Sequence, residues 1–240
     1  MNARWRFWLI TLSTLLAVLS TLALGRWQLS RAAQKQAIQA SIEQQSALQA
    51  MTAPSLLALP DPRTEINRSV TLRGTWLASH TVFLDNRQMN NKPGLYVVTP
   101  MRLENSAAVV VVQRGWVARN FLDRSAVPQI ETPLGVVQIQ GRIATVPSKL
   151  YELGGPESGR IRQNLDMARF SAELGLPLLT VSVQQRGDAT EGLLREWPLV
   201  STGVDTHYGY AFQWFALSAL LTILYVWFQI VRRFKPSQRA

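Results

Sequence analysis

The sequence predicts a membrane protein in which two transmembrane α-helices flank a mainly antiparallel β domain carrying one or two short helices. Three observations lead there. Two long apolar runs lie near the ends of a chain of 240 residues. Basic residues flank each run on its terminal side. Between them, Val-, Thr- and aromatic-rich segments alternate with turn residues, the pattern of short strands.

The first run, residues 7 to 25 (FWLITLSTLLAVLSTLALG), holds no Asp, Glu, Lys or Arg. The second, Tyr208 to Val231, holds none either. Its 24 residues reach roughly 36 Å as a helix, enough to cross a bilayer core of about 30 Å with some tilt. A cleaved signal peptide competes for the first run, with Arg4 and Arg6 as its basic end and Ala23–Gly25 as a cleavage site. The run is long for that, and GRWQLSRAAQKQAIQASIEQQSALQA continues in strong helix formers with no proline before Pro54. An uncleaved anchor is therefore expected. Ser13, Ala17, Thr21 and Gly25, spaced by four, form a ridge of small residues that would admit a close helix neighbour.

Charge sets the expected topology. The chain carries +10, with 25 basic and 15 acidic residues. Arg4, Arg6, Arg232, Arg233, Lys235 and Arg239 account for most of the excess and leave 19 basic against 15 acidic in between. Charge placed beside apolar spans speaks for retention on the inner side, and no nucleic-acid motif accompanies it. Residues 1–6 and 232–240 should be cytoplasmic, 7–25 and 208–231 should span, and 26–206 should form a domain outside. A bacterial plasma membrane with a periplasmic domain fits best, since an anchor starting at residue 7 leaves no room for a transit peptide. The chain has no cysteine, which removes disulfides, thiolate metal sites, thioether haem attachment and cysteine nucleophiles.

Within the outer segment, TAPSLLALPDPR (52–63), with three prolines, reads as a linker or extended arm. Strands are expected at 68–76, 80–86, 95–103, 107–117, 134–144 and 178–185, with NNKPG (90–94) as a turn between two of them. DMARFSAELG (166–175) reads as a short helix capped by Asp166 and stopped by Gly175. A small barrel or sandwich follows.

Chemistry is sparse. There is no phosphate-binding loop, dinucleotide fingerprint or GxSxG elbow, and Asp61, Asp85, Asp123 and Glu152 show no acid–base spacing. Two histidines must supply any imidazole chemistry. His80 reads as an exposed turn residue. His207 opens the second span, and helical spacing puts Tyr210 and Trp214 on its side. It is either a haem-iron ligand bracketed by aromatics or a member of an interfacial aromatic belt. Arg31, four residues beyond Trp27, and Arg114, on the same strand face as Trp116, are candidates to hold an anionic group or to form structural ion pairs.

LGRWQLSR (24–31), GTW and LDNR (74–76, 84–87), VVVQRGWVAR (110–119) and HYGYAFQWF (207–215) together resemble the Surfeit locus protein one family. Taken in order, with an apolar run at each end, they cover nearly the whole chain. The resemblance implies an assembly factor for cytochrome c oxidase, not an enzyme, acting as haem a enters the catalytic subunit. It implies haem a on His207 as axial ligand, with Tyr210 and Trp214 beside the ring and Arg31 and Arg114 as weaker candidates for the propionates. The family signature residues carried over are Gly25, Trp27, Gln28 and Arg31, then Arg114, Gly115 and Trp116. The implied partners are the oxidase catalytic subunit, membrane lipid and, further off, the machinery that makes haem a. The sequence departs from the family pattern at Gln113, Ala118 and Asp205–Thr206. Two other readings stand beside this one: a cofactor-free scaffold for an oxidase subunit, and an anchored periplasmic enzyme.

Overall fold

The computed structural model describes residues 3–123, 125–147, 150, 159–197 and 203–231. The basic residues Arg232, Arg233, Lys235 and Arg239, and Glu152, lie outside the described residues. The chain divides into two compact units, Met1–Ser41 with Val200–Ala240, and Ile42–Leu199.

The first unit is a helix pair. Helix α1 runs over Ala3–Ala47, and α4 (Val204–Tyr225) continues into a π-helical segment, Val226–Val231. Both are long and apolar enough to cross a membrane. α1 continues well past its apolar run because the Ala-, Gln- and Leu-rich sequence contains nothing to stop it.

The two helices pack antiparallel along one seam. On α1 the covered or half-covered positions include Thr14, Val18, Thr21, Gly25, Gln28 and Ala32. On α4 they include His207, Ala211, Trp214, Ser218, Leu221 and Tyr225. Both sets alternate steps of three and four, the spacing that keeps a helix face turned to one partner. The expected ridge spaced by four holds in part, with Ala17 half-covered. Each four-residue step turns about 40° round the helix, so such a ridge rotates away from its neighbour. Thr21 and Gly25 are buried in the seam, while Ser13 is exposed. Near the far end of the pair, the hydroxyls of Thr11 and Tyr225 meet at 2.8 Å.

At Gly25 a side chain of α4 lies directly against the backbone of α1. A Cβ there would stand 2.7 Å from the Phe215 ring, nearer than carbon atoms pack. Gly25→Leu should therefore push α1 and α4 apart and lower the midpoint at which helical signal is lost in detergent. Gly25→Ala should do so much less, because the ring can swing aside. An unchanged midpoint in the Leu variant would show that this contact does not hold the pair together.

The second unit is a β-barrel. Strands β2 (Ser69–Trp76), β4 (Lys92–Leu103), β5 (Val109–Ala118), β6 (Val136–Ala144) and β8 (Leu178–Gln185) close in the order β2-β6-β8-β5-β4-β2. Closure depends on the length of β4. Its first half pairs with β3 (Val82–Met89), and Met101–Leu103 pair with Gly74–Trp76 of β2. A closed five-stranded barrel leaves no free edge among these strands. Two short strands, β1 (Met51–Thr52) and β7 (Ile161–Arg162), add to β2 and β3. Pairing is mainly antiparallel, but β1–β2, β3–β7 and β5–β8 are parallel.

Local signals hold where they were strongest. α3 (Met167–Leu174) is capped by the Asp166 carboxylate, which accepts from the amides of Ala168 and Arg169, and ends on Gly175 at φ 65°. Asn90 and Asn91 turn the β3–β4 hairpin with φ of 51° and 60°. The 52–63 stretch is not an extended arm. It folds into α2 (Ala53–Leu57) and a 3-10 turn at Pro62–Glu65, and Leu56 inserts fully buried into the barrel core beside Leu72, Val110 and Ile143. Three prolines favour breaks, but Pro54 in the first turn of a helix costs nothing and the core supplies a socket for Leu56.

Candidate functional site

His207 lies in the first turn of α4, half-buried in the helix seam. Its Nδ1 is 2.7 Å from the side-chain oxygen of Gln28, a residue only 9% exposed. Among the described residues the Nε2 atom of His207 has no hydrogen-bond partner. The hydroxyl of the adjacent Tyr208 donates to the Gln36 side chain at 3.4 Å. Trp214, two turns along, is half-buried on the same seam. Tyr210 is not with them. It sits about 60° round the helix from His207, at the margin of the contact face, and is 49% exposed.

Trp27 is 54% exposed, and the Arg31 guanidinium donates to the Gln34 side chain at 3.1 Å. Arg31 is exposed on α1, one turn beyond Gln28.

Arg114 serves the interior of the β unit. Its side chain is wholly buried. The guanidinium donates to the Glu191 carboxylate at 2.7 Å, to Thr132 Oγ1 at 2.7 Å and to the Glu131 carbonyl at 2.8 Å. It also lies 4.9 Å from the centre of the Trp76 ring. These contacts tie the 130s loop and the 190s loop to β5. Arg195 shares Glu191 and donates to the Arg114 carbonyl. Burial pushes Arg195 below the usual arginine range; Glu191 opposes that shift and the like charge of Arg114 adds to it. Arg114 is thus a structural clasp, not an anion-binding arm reaching outward.

Sequence spacing misjudged Arg114 because β5 carries a bulge. Val97 pairs with Gly115 and Val98 with Gln113, which leaves Arg114 as the extra residue. A bulge breaks the strict alternation that would align Arg114 with Trp116. Trp116 serves other neighbours: its indole donates to the Arg87 carbonyl at 2.9 Å, and its ring lies against Gly94, where a Cβ would be 2.4 Å away. Gly115 lets the backbone of Leu194 approach, and Trp116 and Leu194 exchange backbone hydrogen bonds of 2.8 and 2.9 Å.

His80 ends a 3-10 turn at Ala78–His80 and is exposed, as expected. Among the described residues no three His, Cys, Asp or Glu side chains cluster as a metal site.

A family model described as the SURF1 family matches residues 15–219, which include most of the helix seam, the barrel and His207. The chain belongs to the SURF1 family. A SURF1-like protein of Drosophila melanogaster is 28% identical over 91% of this chain and 77% of its own length. SURF1-like proteins of Rickettsia bellii and Rickettsia conorii are each 25% identical, covering 89% and 85% of this chain and 88% and 85% of theirs. SURF1 proteins are known in general as assembly factors for cytochrome oxidase. The residues expected as a family signature divide by structural role. Gly25 and Gln28 build the helix seam, whereas Arg114, Gly115 and Trp116 build the barrel.

Proposed function

We propose that this SURF1 protein assists cytochrome c oxidase assembly by holding haem a transiently on His207, and performs no chemical conversion itself. One observation carries the reading. His207 lies at the mouth of an apolar helix with Nδ1 engaged and with no hydrogen bond to Nε2 among the described residues, the state in which an imidazole ligates iron. The residues present fit such a group in part. His207 supplies a neutral nitrogen ligand, Trp214 an adjacent aromatic surface and exposed Arg31 a cation for a carboxylate, but Arg114 does not fit. Bound haem a would contribute an iron centre that takes an axial imidazole; the chain's part is to bind and orient it.

In this reading α1 and α4 anchor the protein in a bacterial plasma membrane with both termini cytoplasmic and the barrel in the periplasm. Basic residues outside both spans support that orientation. The oxidase catalytic subunit is the partner, and the surrounding lipid accommodates the apolar tail of the haem.

A specific observation also favours a cofactor-free scaffold. Three of the signature residues, Arg114, Gly115 and Trp116, are committed to the barrel's own architecture. Absorption spectra separate the two readings. Protein purified in detergent from cells that make haem a should show a Soret band that collapses in His207→Ala. Absence of bound haem from both proteins would leave the scaffold.

A further inference from the structure

We infer that Gln28 is a positioning residue for His207, selecting the ring tautomer with hydrogen on Nδ1 so that the Nε2 lone pair is presented. The two residues are 179 positions apart in the chain and lie on different helices. A neutral imidazole has one N–H donor and one acceptor nitrogen, and which is which follows from the partner. The Gln28 side-chain oxygen, 2.7 Å from Nδ1, only accepts. It therefore requires Nδ1–H. Free histidine in water favours hydrogen on the other nitrogen only modestly, so one buried hydrogen bond is enough to decide the balance.

The surroundings keep Gln28 at this task. Its side chain is buried, its backbone amide and carbonyl belong to α1, and a buried side-chain amide without a partner is costly. One turn toward the first span, the close contact of Gly25 with Phe215 sets the register of the two helices. The functional nitrogen of α4 is thus oriented by α1, and the first helix is part of the site as well as an anchor. The connection to iron rests on the haem reading above; the tautomer does not.

The test uses the full chain in detergent micelles with 15N-labelled histidine. Only two rings contribute, and His80→Asn assigns them. Wild type should show His207 with hydrogen on Nδ1. Gln28→Leu should convert at least half of it to the Nε2–H form, and Gln28→Glu, which still accepts, should restore Nδ1–H. An unchanged His80 signal certifies that the barrel is folded in each variant. Haem retention, where wild type carries haem, should fall about 10- to 100-fold in Gln28→Leu, as for loss of a partner behind a metal ligand. Wild type with hydrogen on Nε2, or Gln28→Leu with the wild-type tautomer, overturns the inference whatever the haem content. Haem-free wild type whose tautomer still depends on Gln28 refutes the haem reading and upholds this one.

Discussion

Arg114→Ala should destabilise the barrel by about 3–5 kcal/mol, the usual consequence of removing one partner from a buried ion pair. The loss has several parts. Glu191 keeps a partly buried carboxylate with Arg195, at 3.4 Å, as its one remaining cation among the described residues. Thr132 Oγ1 and the Glu131 carbonyl lose their donor, and the Trp76 ring loses the cation above it. For a unit of this size the midpoint should drop by roughly 10 °C, read by circular dichroism of the full chain in detergent. Arg114→Lys keeps the charge but cannot reach three acceptors in a planar fork, so it should recover less than half of the loss. An Arg114→Ala protein as stable as wild type, but poorer in haem, would restore Arg114 as an anion-binding residue.

Trp116→Ala should have a comparable effect by another route, about 3–5 kcal/mol from the cavity left by a core indole. Trp116 is 3% exposed and fills the space that Gly94 leaves open on the neighbouring strand. Trp116→Phe separates the parts. It retains part of the apolar area while removing the indole hydrogen bond to the Arg87 carbonyl, which costs about 1–3 kcal/mol when the acceptor stays buried, and the ring edge that packs on Gly94. Denaturant titration of the two variants should give a large loss for Ala and a smaller one for Phe. Equal losses would mean that the hydrogen bond, not the packing, holds this corner.

Both predictions concern residues that appeared, in the sequence, as candidates for a site or as signature positions. What was legible was local. The bounds of β8 match the LLTVSVQQ segment end to end, and α3 begins and stops where Asp166 and Gly175 require. Caps, turns and apolar runs act over a few residues, so a few residues suffice to announce them. The proline-rich 52–63 stretch misled for the same reason: its local signal is that of an arm, while the burial of Leu56 depends on a core built from β2, β5 and β6.

The candidate site was legible only in its ligand. With two histidines in the chain and one at the start of an apolar run, His207 stood out by residue type alone. Its partner did not. Helical periodicity ranks faces within one helix, and it placed Tyr210 beside His207. Periodicity also placed Trp214 there; the seam, a relation between two helices, keeps Trp214, leaves Tyr210 exposed at its margin and adds Gln28.

By itself, then, the sequence determined two apolar helices around a β-rich centre, the cap and turn positions, and the absence of thiol chemistry. Each of these follows from neighbours within about a turn or a strand. The tertiary structure alone decided that the strands close into a barrel through the split pairing of β4, that a bulge directs Arg114 into the interior, and that Gln28 meets His207. These depend on groups tens to hundreds of residues apart, whose pairing is set by how strands register and helices pack rather than by any signal carried in the segments themselves.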